Sequence, residues 1–192
     1  TRRPTGGGNA PAHGIHIDPT DFHVEWQHST NEGGAVGGSA TASALDLAAL
    51  ASLATYLPID EGSRRLLDDF APRGRISDLR TSWRGNAEHL QTYSLSARFT
   101  DLALRPQGRF PGLSGLTGSL EASEQGGSAQ LKSRKASIEL PDIFPESAIA
   151  LDTLQAQAKW KISGQALDVQ LSRIEFAGPD AAGSVQGSYH KV

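Results

Sequence analysis

Apolar and polar residues alternate most clearly over Leu154, Ala156, Ala158, Trp160 and Ile162, with Gln155, Gln157, Lys159 and Lys161 between them. A period of two puts one set on each face of a strand. The same period runs through Tyr93, Leu95, Ala97 and Phe99, and through Leu167, Val169 and Leu171. Beyond Pro72 it predicts strands over 75–84, 93–104, 116–122, 128–140, 151–162, 166–176 and 181–190. Turn signals separate them: Gly85-Asn86, Gln125-Gly126-Gly127, Ser163-Gly164-Gln165 and Gly178-Pro179-Asp180. Connections this short join antiparallel neighbours, because parallel strands need a long crossover.

The first third reads differently. Residues 1–14 lack periodicity and read as a tail or linker. Ile15 and Ile17 share a face; then Phe22, Val24 and Trp26 oppose His23 and Glu25. A turn at Asn31-Glu32-Gly33-Gly34 leads to a small-residue returning strand over 35–44. Leu47, Leu50, Ala51, Ala54 and Leu57 recur at helical spacing. They predict a helix over 44–56, opened by a capping box of Ser43 and Asp46 and stopped by Pro58. A second helix is predicted over 63–70, with Leu66, Leu67 and Phe70 inward and Pro72 at its end. The fold class is mainly β: an antiparallel meander forming a curved open sheet or groove, with two short helices in the N-terminal half. The domain reading is a tail (1–14), a strand pair with two helices (15–71) and a sheet segment (72–192), forming one continuous unit. The Trp-ended strand at 79–83 with its successor at 93–102 resembles 154–160 with 167–176, as a duplicated hairpin would.

The composition narrows the partners. Among 192 residues, 38% are hydrophobic and 6% aromatic, which suits a sheet covered on one face. A net charge of -3 and basic residues scattered in pairs give no footprint for nucleic acid. Cysteine is absent, which excludes disulfides and thiolate metal sites. Methionine is absent too and the chain starts at Thr1, so it reads as a fragment or processed product. The apolar run 47–57 is shorter than the roughly 20 helical residues that span a bilayer. Any membrane anchor is therefore expected outside this fragment.

Candidate chemistry is thin. His13, His16, His23 and His28 lie close in sequence, but His16 and His23 fall in different predicted strands and read as exposed side chains. Gly112-Leu113-Ser114-Gly115 is one residue short of a nucleophile elbow and lacks its strand-to-helix setting. The glycines at 33–38 have no following lysine to meet phosphate. Asp68 and Asp69 are adjacent on a helix and do not face each other. No catalytic residue, metal site or cofactor is assigned, and the chain is not expected to be an enzyme.

The order of these segments carries more. Pro72-Arg73-Gly74-Arg75-Ile76-Ser77-Asp78-Leu79 is followed by Trp83-Arg84-Gly85, Tyr93 to Phe99, Pro111 to Gly118 and Gln125-Gly126-Gly127. The chain closes with Phe176 to Ser184 and Gly187-Ser188-Tyr189. Over residues 39–189 this resembles the central region of YhdP-type AsmA-like envelope proteins of Gram-negative bacteria, more distantly related to TamB. The resemblance implies a parent with one inner-membrane helix and a long periplasmic body shaped as an open β-groove. It implies a role in moving phospholipid between inner and outer membranes and in keeping the outer membrane impermeable.

The expected site is therefore a face. Tyr93, Leu95, Phe99, Leu154, Ala158, Trp160, Ile162, Val169 and Leu171 are assigned to the apolar interior, toward phospholipid acyl chains. The unpaired strand edges are expected to pair with adjoining β segments of the same parent chain. The alternative is a structural or protein-interaction module whose sheet closes into a sandwich capped by the helices. Leu47, Leu50, Leu66 and Phe70 discriminate: if they fill the apolar face, no trough remains.

Overall fold

The computed structural model describes residues 20–27, 37–53, 61–85, 90–108, 110–141 and 148–191. The strands are β1 (Phe22–Gln27), β2 (Gly37–Asp46), β3 (Arg73–Gly85), β4 (Leu90–Leu104), β5 (Gly112–Ser123), β6 (Gly126–Glu139), β7 (Ala148–Ser163), β8 (Ala166–Ala177) and β9 (Ala182–Lys191). Helices α1 (Leu47–Leu53) and α2 (Glu61–Phe70) lie between β2 and β3. All nine strands join one sheet in sequence order, and every pairing is antiparallel. The sheet does not close: β1 and β9 are its two edges. All seven strands expected beyond Pro72 are present. The expected strand at Ile15 and Ile17, the turn at 31–34 and the stop at Pro58 lie outside the described residues.

The helical region corrects two expectations. The first helix begins at Leu47 rather than Ala44, because residues 37–46 pair along β3 as strand. Its cap is accordingly Asp46, whose Oδ1 accepts the Ala49 N–H at 2.8 Å. Ser43 stays in β2, where its Oγ accepts the Asp21 N–H at 3.1 Å. Leu66, expected inward on α2, is exposed; Leu67 and Phe70 are half-buried. Helix α1 rests on β2 and β3, whereas α2 has no comparable contact with the sheet. Phe70 instead meets Phe110 edge-on at 5.8 Å between ring centroids, and its carbonyl accepts the Arg105 N–H at 2.8 Å.

A row of irregularities crosses the middle of the sheet. Asp78 in β3, Asp101 in β4, Gly115 in β5 and Lys135 in β6 have positive φ, between 52° and 67°. The pairing register shifts beside the first three. At each site the strand skips a step, so inward-facing residues recur three apart instead of two. The pairs are Ile76 and Leu79, Phe99 and Leu102, Leu113 and Leu116, Ser133 and Ala136. Strand β7 follows the same step with Leu151 and Leu154, which pair with Ala136 and Ser133. The residues between them are both exposed in β4, β6 and β7: Thr100 and Asp101, Arg134 and Lys135, Asp152 and Thr153.

Bulges bend a strand and increase its twist. Here they line up, and the buried core lies along them: Phe99, Leu116, Ala136, Leu151 and Leu154, joined by half-buried Ile76, Leu102, Leu131, Ile138 and Phe176. A single layer buries side chains this well only if it bends toward their face, letting neighbours on either side close over them. The one buried polar side chain among the described residues, Ser133, sits on this line at 2% exposure. Its Oγ accepts the Thr117 N–H at 2.9 Å and donates to the Thr117 carbonyl at 3.3 Å. The hydroxyl thus satisfies backbone groups where the β5–β6 register is broken between Ser114 and Gly118.

Candidate functional site: the apolar face of the sheet

Directly opposed residues of an antiparallel pair project to the same face, so the register can be read across the sheet. Ala158 opposes Ala129, which opposes Leu120, which opposes Ala97. Trp160 leads likewise to Gly127, Ala122, Leu95 and Thr81. Toward the other edge, Trp160 opposes Val169 and then Tyr189, while Leu154 opposes Phe176. The reverse face carries Gln157, Gln130, Ser119 and Arg98 in one row, and Lys161, Asp168 and His190 in another.

The nine residues assigned to the apolar interior therefore lie on one face. Phe99 and Leu154 are buried in the sheet's own core. Tyr93, Leu95, Ala158, Trp160, Ile162, Val169 and Leu171 are half-buried, on the arm running from the bulge row to the hairpin turns. On this arm the face continues to both edges, with Phe22 and Trp26 in β1 and Tyr189 in β9, all more than half exposed. The sequence reading passed over Trp26, Trp83 and Tyr189 as members of this surface. Each sits at a strand position of the right parity, but strand edges do not announce which strands they join.

Four aromatic rings lie across the sheet against glycines of the neighbouring strand: Trp83 at Gly38, Phe99 at Gly118, Trp160 at Gly127 and Phe176 at Gly183. A methyl group on Gly38 or Gly127 would come within 2.5 or 2.4 Å of the indole Cζ2. The glycines leave room for the rings to lie down on the sheet instead of standing off it. Trp83 also meets Trp26 edge-on at 5.2 Å between centroids. Both Trp-containing hairpins noted in the sequence thus share one device, an indole laid on a glycine of the preceding strand.

A hollow of about 640 Å³ lies at β2–β6; Thr81, Leu95, Ala122, Gly127 and Trp160 of the apolar face line it together with the hydroxyls of Ser39, Thr41, Ser82, Ser94, Ser96 and Ser123. By register these hydroxyls belong to the reverse face; Ser82 and Ser94 hydrogen-bond each other at 2.8 Å. Near it, Glu124 Oε2 accepts the Tyr93 N–H at 3.0 Å, and that bond holds the carboxyl below the usual glutamate range. Among the described residues no cluster of three or more His, Asp or Glu side chains has the geometry to hold a metal ion. No described helix is long and apolar enough to cross a membrane.

Fold and surface together define an open, single-layer antiparallel sheet with one apolar and one polar face. The chain belongs to the YhdP protein family, whose sequence model matches residues 12–191. No curated protein and no solved structure matches it.

Proposed function

We propose that this chain is a periplasmic segment of an AsmA-like envelope protein, and that its apolar face carries phospholipid acyl chains between the inner and outer membranes. It acts as a surface and not as an enzyme, and it contributes to the outer-membrane barrier. One observation carries the reading: among the described residues, no second layer packs on the apolar face of β4–β9. Among the described residues, helix α1 packs on β2 and β3, α2 meets the chain just beyond β4 through Phe70 without packing across the sheet, and no second sheet faces the first. An acyl chain gains about 0.8 kcal/mol for each CH₂ withdrawn from water. A continuous apolar surface offers that gain at every step along the strand order. Among the described residues β1 and β9 are the sheet's edges, and unpaired edge groups of this kind would pair with adjoining β segments of a longer chain.

The test is native mass spectrometry with lipid extraction on the chain expressed in a bacterial envelope, beside an Ala158→Asp variant. Ala158 is half-buried between Ala129 and Leu171 on the open arm. A carboxylate there meets no partner on the apolar face and opposes any bound chain. Co-purifying phospholipid that the variant loses supports the reading. A wild-type chain free of lipid, or a variant that keeps its lipid, overturns it.

A further inference from the structure

The aromatic residues of the apolar face are sorted along the strands, from the bulge row at mid-sheet toward one margin. At the bulge row the face is aliphatic and phenyl: Leu116, Leu151, Leu154 and Phe99. Toward the margin where the β5–β6 and β7–β8 turns lie, Trp and Tyr join the aliphatic Leu95, Ile162, Leu167 and Val169. Trp26, Trp83, Tyr93, Trp160 and Tyr189 each fall within three residues of the strand end at that margin. The register links Trp26 to Gly38, Gly38 to Trp83, and Trp83 to Tyr93. Farther along it links Gly127 to Trp160, Trp160 to Val169, and Val169 to Tyr189. All three tryptophans of the chain stand in this margin.

Trp and Tyr collect where hydrocarbon meets water, because a large apolar ring carries one polar atom that needs a partner. A core built for packing alone has no reason to sort them to one margin. The depth also fits an amphiphile. Six residues separate Trp160 from Leu154, a span of about 20 Å at strand rise, against about 15 Å for the hydrocarbon of one leaflet. A hollow of about 530 Å³ at this margin is lined by Trp160, Val169 and Tyr189 of the apolar face, and by Lys159, Lys161 and the paired Asp168 and His190 of the reverse face.

Resting on the acyl-chain reading above, we infer that this Trp/Tyr margin is an interfacial rim. A bound two-chain phospholipid stands with its glycerol and headgroup at the rim and its chains directed toward the bulge row. The rim therefore fixes one orientation of the lipid along the whole strand order, headgroup outward past the hairpin turns.

The unmodified chain is its own probe, since every tryptophan is at the rim. It is loaded from phosphatidylcholine vesicles in which a fraction of the lipid carries a nitroxide, either near the carboxyl end or near the methyl end of one acyl chain. Tryptophan emission is expected to be quenched more by the carboxyl-end label. In a chain with its three tryptophans replaced by phenylalanine, Phe176→Trp moves the reporter toward the bulge row and is expected to reverse that order. Stronger quenching of the wild type by the methyl-end label overturns the rim while leaving lipid binding in place. No quenching by either label, with the far-ultraviolet dichroism of a folded sheet, overturns lipid binding itself and the rim with it.

Discussion

Replacing Gly127 with alanine puts the packing of Trp160 on the sheet to a quantitative test. The added methyl would lie 2.4 Å from Trp160 Cζ2, 2.9 Å from Cε2 and 2.3 Å from the Glu121 carbonyl oxygen. The indole can tilt away, being only half-buried. The Glu121 carbonyl is backbone of the adjoining strand and moves only if the β5–β6 pairing moves with it. Overpacking of this kind costs about 1–3 kcal/mol. Alanine returns about 0.4–1 kcal/mol by restricting the unfolded chain. The clash is the larger effect at central values, so Gly127→Ala should lose about 1.3 kcal/mol, a few degrees in melting temperature for a chain of this size. Gly187 is the internal control: it opposes Leu171 on the same face, and nothing lies within 4 Å of an added methyl. Gly187→Ala should therefore gain the entropic part alone, with the opposite sign. Urea unfolding followed by far-ultraviolet dichroism reads both. Adding Trp160→Leu to Gly127→Ala should recover part of the loss, leaving the part due to Glu121. A Gly127→Ala chain as stable as the wild type would refute the ring-on-glycine account.

Leu154→Ala should destabilise by about 2–5 kcal/mol, because the side chain is buried in the bulge-row core; calorimetry or urea titration measures it. Ser133→Ala removes the hydroxyl that serves both the N–H and the carbonyl of Thr117, and should cost about 1–3 kcal/mol by the same titration. Lys135 holds φ at 57°, so a β-branched Lys135→Val should lose at least about 1–2 kcal/mol while Lys135→Gly stays near wild type. Glu124 has its carboxyl held low by the Tyr93 N–H, so its contribution is present above the unfolded-state pKa and fades as pH falls through the folded one. Urea midpoints taken from neutral to acid pH should show a loss in the wild type that is smaller in Glu124→Gln.

The faces, the turns and the antiparallel order follow from the residue pattern alone. Side chains alternate along a strand by covalent geometry, so Leu154 to Ile162 could lie on one side only. Glycine-bearing turns between short strands leave no room for crossovers. The skip at the bulge row is also written in the chain, as Ile76-Ser-Asp-Leu79, Phe99-Thr-Asp-Leu102, Leu113-Ser-Gly-Leu116 and Leu151-Asp-Thr-Leu154. Within any single strand it resembles an ordinary lapse in alternation. Its meaning appears only when pairing stacks the lapses of successive strands into a row that bends the sheet. The tertiary structure alone decided that Phe99 and Leu154 join a core while Trp160 and Val169 stay on an open arm. Burial depends on what folds over a residue, and among the described residues the large buried side chains gather along the row. It also decided the helices: Leu66 has the apolarity to pack inward, but α2 turns Leu67 and Phe70 toward the rest of the chain and leaves Leu66 exposed. Local pattern sets which way a side chain points; only the bend and the neighbouring strands set what it meets.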